Sequence, residues 1–416
     1  MSHPSHDRTL PDHPATRWWM LALVCAGFIA MVVNWFDIST GFHAIGDEYG
    51  LAIPDVAFLI SMFVAAYGLL HIPGGFLATR WGLRRTIAVG LTIEGIGAIG
   101  SASAGSFAQL VMWRALAGAG ASIFAAVGIA AVSIWFRERH HGLALGISSA
   151  AFSVGTALGL YTWADITDAT SWRTAVVISG ALALVVAALS LLFFRTPRGV
   201  DSLAGVRLTV ASLKETLGNR SIWIFGFAFF GAYGSFLAAS QLLSDYGDSR
   251  AIGSSEVGFA AFLIGIAGVP GSIAAGWITD RYLSPRILFI AGATLEAVFL
   301  AAVPLSGPGT FWIPALGIGF MFNFTFAVWQ TVPGNLAIAP ENIGTAIGLM
   351  LSLSAIGGFV LPWAFGLITD HQSYRAAWIF LGVVSACTAL LGALGRSRSR
   401  RFAVRPTAAR LGGSSA

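Results

Sequence analysis

Charge is what this chain has least of. Lysine, arginine, aspartate and glutamate together make up only 10% of its 416 residues, while hydrophobic residues make up 56% and glycine fills 50 positions. Too little polar surface exists to cover a soluble globule, so the composition excludes that class and points to a bilayer as solvent. Cysteine is nearly absent as well. Cys25 and Cys387 sit inside apolar runs nearly the full chain apart, which excludes a disulfide framework and a thiolate metal site. Missing too are a clustered His/Cys/Asp set, a glycine-rich nucleotide loop and a polar stretch long enough for a soluble domain, so neither an enzyme nor a resident cofactor or metal is expected. The short loops offer no signalling module, which argues against a receptor.

What the chain has in abundance is long apolar runs. A helix needs about 20 apolar residues to cross the hydrocarbon, and twelve stretches qualify: 18–42, 54–78, 84–104, 107–131, 140–163, 172–194, 221–244, 255–278, 285–304, 310–338, 343–366 and 374–395. None alternates polar and apolar over ten residues as a membrane barrel strand would. Residues 1–17 are polar and precede a long first run, so the first helix is expected to be retained rather than cleaved.

The runs fall into two similar sets of six. ITDATSWR at 166–173 returns 202 positions later as ITDHQSYR at 368–375. GGFLATR at 74–80 returns as AGWITDR at 275–281, the triplet at 92–94 returns at 294–296, and GLALG at 142–146 returns as GTAIG at 344–348. Several matches in one order at one spacing identify an internal repeat. The fold expected is therefore all-α and membrane-embedded: a tail at 1–17, a six-helix bundle at 18–194, a linker at 195–220, a second bundle at 221–395 and a basic tail at 396–416. The two outer ITD…R hairpins are expected to be structural, with Asp168 and Asp370 capping the helices that follow.

Basic residues orient the fold. With both termini on the cytoplasmic side, twenty Lys and Arg fall on inner segments and three, Arg173, Arg250 and Arg375, on outer ones. This is the positive-inside pattern of a multi-pass inner-membrane protein. It accounts for the basic pI through topology and anionic lipid, with no need for a nucleic-acid partner.

Two loops carry sharper patterns. Between the second and third runs stands Gly75-Phe76-Leu77-Ala78-Thr79-Arg80-Trp81-Gly82-Leu83-Arg84-Arg85, and in the second half Gly276-Trp277-Ile278-Thr279-Asp280-Arg281. The first resembles the G-x-L-x-D-R-x-G-R-[KR] loop of the major facilitator superfamily, with Thr79 in place of the usual acid; the second keeps the acid as Asp280. Leu110 to Gly120 in the fourth run resembles the family's second motif, with Ala117 where Gln is common. The resemblance covers essentially the whole chain. It implies two parallel six-helix repeats, alternating access and, at the inner face, gating by Arg80, Asp280 and Arg281. The bland alternative, that the loop arginines are positive-inside anchors, stays open.

Charge inside the hydrocarbon costs about 2.5–3.5 kcal/mol per residue, and four such residues stand out: Asp37, Glu94, Arg114 and Glu296. Asp37 and Arg114 lie at similar depth, roughly 8 and 10 Å from the outer helix ends at about 1.5 Å per residue. A pair is therefore possible, either a fixed ion pair or a proton-accepting carboxylate tuned by a mobile cation. The family places Glu94 and Glu296 on peripheral helices, where structural pairing or a protonated acid is expected. VNWFDIST at 32–39 is similar to the first helix of organic anion:cation symporters, near the cyanate-type permeases, although Ile38 stands where those have Arg. YGLLHIPGG at 67–75 is similar to their second helix and makes His71 a further candidate for proton coupling beside Asp37 and Arg114.

Candidate substrate contacts are Asn34 and Arg114 from the first half and Tyr233, Gln241, Asn323 and Gln330 from the second. No cation lies on the helices expected to face the pathway in the second half, which disfavours a dianion held between two arginines. A monocarboxylate or a small neutral or zwitterionic metabolite fits better. The expected activity is secondary transport by proton symport in a monomer surrounded by lipid. Efflux of an amphipathic compound is the alternative, and the fifth run, GISSAAFSVGTALGL at 146–160, lacks the Gly-Pro step usual in drug antiporters.

Overall fold

The computed structural model describes residues 14–196 and 214–395, apart from residues 39, 40, 52, 138, 215, 282, 283, 337 and 339–342. Most of the first tail, most of the linker and the basic C-terminal tail lie outside the described residues. So do the side chains of Thr79 and Asp168.

Every regular element among the described residues is a helix. In the first half these are α1 (Pro14–Phe36), α2 (Phe42–Tyr49), α3 (Ile53–Leu69), α4 (His71–Ala102), α5 (Phe107–Trp135), α6 (His141–Ala169) and α7 (Trp172–Phe193). In the second they are α8 (Arg220–Ala228), α9 (Phe230–Ser249), α10 (Ser254–Ile266), α11 (Gly268–Arg281), α12 (Pro285–Ala302), α13 (Trp312–Gln330), α14 (Val332–Asn335), α15 (Ile343–His371) and α16 (Tyr374–Leu391).

Ten spans among the described residues are long and apolar enough to cross a membrane, and they match ten of the twelve runs. The exceptions are the second and third runs. Pro73 cannot donate to the Leu69 carbonyl, so α3 stops at Leu69 after 17 residues and α4 starts afresh at His71. The stretch labelled α4 is two helices that break at Gly82, whose φ of 79° suits glycine, so the end of the second run and the third run meet there between Arg80 and Arg84. The second half repeats the device: Pro270 ends α10 at Ile266. The first run is also shorter than expected, because α1 closes at Phe36 and leaves Asp37 in the turn beyond it.

Small residues set the packing. A Cβ on Gly120 of α5 would stand 2.2 Å from the Glu94 nitrogen of α4, and one on Gly97 would stand 2.5 Å from the Ala117 nitrogen. The α4 and α5 backbones are therefore in direct contact, an approach that lipid-embedded helices achieve through small residues. The halves meet in the same way along α6 and α10–α11, where a Cβ on Gly276 would lie 2.4 Å from the Gly142 carbonyl oxygen and one on Gly265 2.8 Å from the Ala157 nitrogen.

At the two outer hairpins the caps are serines, not aspartates. Ser171 accepts from the Thr174 N–H at the start of α7, and Ser373 accepts from the Ala376 N–H at the start of α16. The hydroxyl sits one residue before each helix, where it reaches the third N–H; the aspartates lie three residues further back, within the preceding helix.

Candidate functional site

The first half encloses a polar cluster at the C-terminal end of α1. That end leaves carbonyls without helical partners. Trp163 Nε1 donates to the Val33 carbonyl at 2.8 Å, and Arg114 Nη2 donates to the Asn34 carbonyl at 3.2 Å. Arg114 Nη1 donates to Asp37 Oδ1 at 2.9 Å, and both side chains are completely buried. One guanidinium thus answers the negative end of a helix dipole and a carboxylate together. Below it lies the Phe63 ring, 5.0 Å from the guanidinium carbon. Ser179 of α7 donates to Asp37 Oδ2 and accepts from Asn34 Nδ2 at 3.3 Å. Asp37, Arg114 and Asn34, three of the expected site residues, are therefore brought into one network.

Local sequence explains why Arg114 points there. Ser106 caps α5 by accepting from the Gln109 N–H, and Gln109 Oε1 accepts from the Gly105 N–H at 2.9 Å, a reciprocal cap that fixes where α5 begins. Arg114 lies two turns in, facing α1. A buried ion pair is maintained only when its remaining polar atoms are also satisfied; here Asn34, Ser179 and the helix end supply most of that, while Arg114 Nε has no partner.

Other expected residues fall elsewhere. His71 is buried at the start of α4, edge-on to the Tyr67 ring at 4.3 Å, with the Gly68 and Tyr67 backbone as its hydrogen-bonding neighbours. Tyr233 is buried on α9, its hydroxyl interacting with that of Tyr67 across the two halves. Asn323 Oδ1 accepts from Ser153 Oγ at 2.8 Å, a bond that bridges the halves. Gln330 ends α13 buried with Oε1 unpartnered, and Gln241 is half-buried on α9. Around Tyr233 the second half is aromatic: Phe236 stacks on Phe322 at 3.7 Å, and Phe229 lies parallel to Phe326 at 5.8 Å.

At the inner end, Asp280 reaches across to the first half. Its Oδ1 accepts from the Gly142 N–H at 2.9 Å and its Oδ2 from the Leu143 N–H at 3.0 Å. Helix α6 has no side-chain cap of its own, since His140 precedes it with φ 62°. The carboxylate therefore fills the positive end of the opposite half's helix. Arg281 does not share this contact. It is exposed and lies over Trp277 of its own helix at 4.7 Å, because one turn of helix separates those two on the same face. Arg80 is likewise exposed. The crossing contact is acid to backbone rather than acid to arginine.

Ser179, Ser153 and Tyr67 belong to these networks and were not among the expected residues; nothing in the sequence sets them apart from other small or aromatic residues in apolar runs. Glu94 is fully buried on α4, with neither carboxylate oxygen hydrogen-bonded.

Among known proteins, the family profile of the Major Facilitator Superfamily matches residues 21–362. A probable sulfoacetate transporter of Cupriavidus necator is 25% identical over 406 residues, 90% of this chain and 93% of that one. A probable L-galactonate transporter of Escherichia coli is 24% identical, over 87% and 86% of the two chains, and a hexuronate transporter of the same organism is 25% identical, over 90% and 88%. In fold the chain is similar to a proton:xylose symporter, with a TM-score of 0.74 at 14% identity over 92% of this chain and 99% of that one. It is similar also to the Escherichia coli fucose:proton symporter, with a TM-score of 0.72 at 15% identity over 92% and 100%. Two six-helix halves in contact, helices at every expected span and a profile match across both halves lead to one statement: the chain belongs to the major facilitator superfamily of membrane transporters.

Proposed function

We propose that the protein takes up a small organic anion, in the first instance a monocarboxylate, together with a proton, by alternating access across the inner membrane with both termini in the cytoplasm. The observation that carries this reading is the dry Asp37–Arg114 pair at the centre of a network reaching Asn34 and Ser179. An anionic substrate competes with Asp37 for Arg114. Once displaced, a carboxylate in so dry a place takes a proton instead of keeping an unpaired charge. Substrate and proton then arrive together and leave together when the pair re-forms on the inner side. The relatives named for sulfoacetate, L-galactonate and hexuronate support an anion over a neutral or zwitterionic cargo. The positive-inside bias of twenty to three supports the orientation. Asp280 on the first turn of α6 supports a cytoplasmic gate that opens when α11 and α6 separate.

The test is accumulation in proteoliposomes, with sulfoacetate, L-galactonate, glucuronate and simple monocarboxylates as probes. An inward pH gradient should drive uptake of at least one of them above its equilibrium level. Asp37→Asn should lose that accumulation and keep exchange between loaded vesicles. Accumulation by Asp37→Asn equal to the parent protein's would remove Asp37 from the coupling step.

A further inference from the structure

Glu94 and Glu296 occupy equivalent places in the two halves, on α4 and α12, and both are fully buried with neither carboxylate oxygen hydrogen-bonded. Their surroundings differ. The Glu94 backbone abuts Gly120, on the helix that carries Arg114. The next residue, Gly95, comes so close to α7 that a Cβ there would stand 2.7 Å from the Gly180 carbonyl oxygen, and Gly180 adjoins Ser179, the hydroxyl that holds Asp37. Glu94 is thus wedged between the two helices that supply Asp37's partners. The charged or titratable groups acting on it are Asp37 beyond α1, Arg114 on α5 and Tyr67 on α3, while α7 contributes the neutral Ser179. At the same 202-residue offset the positions of Asp37, Arg114 and Ser179 hold Ala239, Leu316 and Leu381. Glu296 therefore has no such neighbours.

We propose that Glu94 is the second proton seat of the coupling centre, forming with Asp37 and Arg114 a set of two carboxylates that share one cation and, without substrate, one proton. A fully buried carboxylate without a hydrogen bond cannot stay charged. With Arg114 on Asp37, Glu94 carries the proton and the set is neutral. When the substrate anion draws Arg114 off Asp37, the Glu94 O–H bond breaks as Asp37 gains an O–H bond, Glu94 forms a new O–H bond with the proton that arrives with the substrate, and the set together with its bound anion is neutral again. One proton has moved from one carboxylate to the other without placing net charge in the dry core. The arginine is the switch, and the second acid makes the switching cheap, since no state holds an unpaired charge.

This rests on the proton-symport reading, and two experiments separate their failures. The first needs no substrate. Infrared difference spectra of the purified protein report the carbonyl stretch of protonated carboxylic acids. Glu94→Gln and Glu296→Gln should each remove one such band. Asp37→Asn leaves Glu94 as the acid that must pair with Arg114, so the Glu94 band should be lost while the Glu296 band stays in place. A Glu94 band that persists in Asp37→Asn, or no band lost in Glu94→Gln, overturns the proposal whatever the protein transports. The second uses the proteoliposome assay with whichever probe the parent protein accumulates. Glu94→Gln should lower pH-driven accumulation at least tenfold with exchange within about twofold of the parent, while Glu296→Gln leaves both unchanged. Equal accumulation by the parent and Glu94→Gln overturns the role of Glu94 and leaves symport standing. Failure of the parent itself to accumulate any probe overturns symport, and the spectra then decide Glu94. Thermal unfolding of each variant in detergent controls for folding, and Glu94→Asp, which keeps the acid, should restore part of the lost accumulation.

Discussion

At the end of α1 the first half gathers Asp37, Arg114, Asn34 and Ser179; along α8, α9 and α13 the second half gathers Phe229, Phe236, Phe322, Phe326 and Trp329. The backbone plan is repeated, and so is the buried glutamate. The chemistry is not. One half carries charges that must be paired at every moment, and the other presents an apolar, polarisable wall with a few amides and the Tyr233 hydroxyl. A solute held between them meets an anchor on one side and a shape-filling surface on the other. Under the proposed symport, this division would leave the coupling chemistry to one half, with no charge to re-pair in the other.

Giving the first half the residues of the second breaks this comparison most severely. Arg114→Leu leaves Asp37 buried without its cation. It should cost about 3–5 kcal/mol of stability and abolish uptake, measured by thermal unfolding in detergent and by proteoliposome flux. Adding Asp37→Ala copies the second half completely at these two positions. The double variant should recover most of the lost stability, because a buried pair replaced by apolar groups is often neutral or better, and it should still not transport. A double variant as unstable as the single one would show that the pair itself, beyond its neutrality, holds the bundle together.

The reverse break is in the aromatic wall. Phe322 stacks on Phe236 and lies parallel to Phe326 at 5.9 Å, fully buried. Phe322→Ala should cost about 3–5 kcal/mol, visible as a lower unfolding temperature, with the pH dependence of any remaining transport unchanged. A shifted pH profile would mean that the two halves are not chemically separate.

A smaller effect is expected at the inner seam. Asp280→Asn removes a charge from the first turn of α6, an interaction of about 0.5–1 kcal/mol. In a background with Cys25 and Cys387 replaced by serine, a cysteine at position 143 should react about two- to fivefold faster with an impermeant maleimide from the cytoplasmic side. Unchanged labelling would leave Asp280 as a structural cap only.

The smallest effect belongs to the outer face. There Arg173 donates two hydrogen bonds to Glu48 of α2, and Trp172 Nε1 donates a third at 3.2 Å. The Arg173 guanidinium holds the Glu48 carboxyl below its ordinary value of 4.5. A depressed carboxylate contributes its stability in full above that ordinary value and loses it as pH falls through the lower folded value. Glu48→Gln should therefore speed hydrogen exchange in α2 at pH 7 by no more than the 0.2–1 kcal/mol of an exposed pair. Well below pH 4 the variant and the parent should converge.

Much of this was legible in the chain. The length of each apolar run, the repeat at 202 and the basic count on alternate loops are local or periodic quantities, so they predict helices, halves and orientation without any knowledge of contacts, and the helices are where they predict them. The breaks at Pro73 and Pro270 are local as well, since a missing N–H is a property of one residue. The candidate site was legible only in outline. Charge in a hydrocarbon run marks Asp37, Arg114, Glu94 and Glu296 by its cost alone, but cost does not say who the partner is.

Partnership was decided by the tertiary structure. Arg114 is 77 residues from Asp37 and Asp280 is 138 from Gly142; the first two meet where the end of α1 lies beside α5, and the second two because Gly142 and Gly276 let α11 approach α6 until backbones touch. Helix packing separates Glu94 from Glu296, two residues alike in sequence context and burial. One lies on a helix packed against those that hold an ion pair, while the positions equivalent to that pair in the other half hold Ala239 and Leu316. It also sent Arg281 to Trp277 on its own helix, while its neighbour Asp280 crossed to the other half. A sequence determines which groups are too costly to leave alone in a membrane; which group relieves each of them depends on where helix faces meet, and that is a property of the assembled bundle.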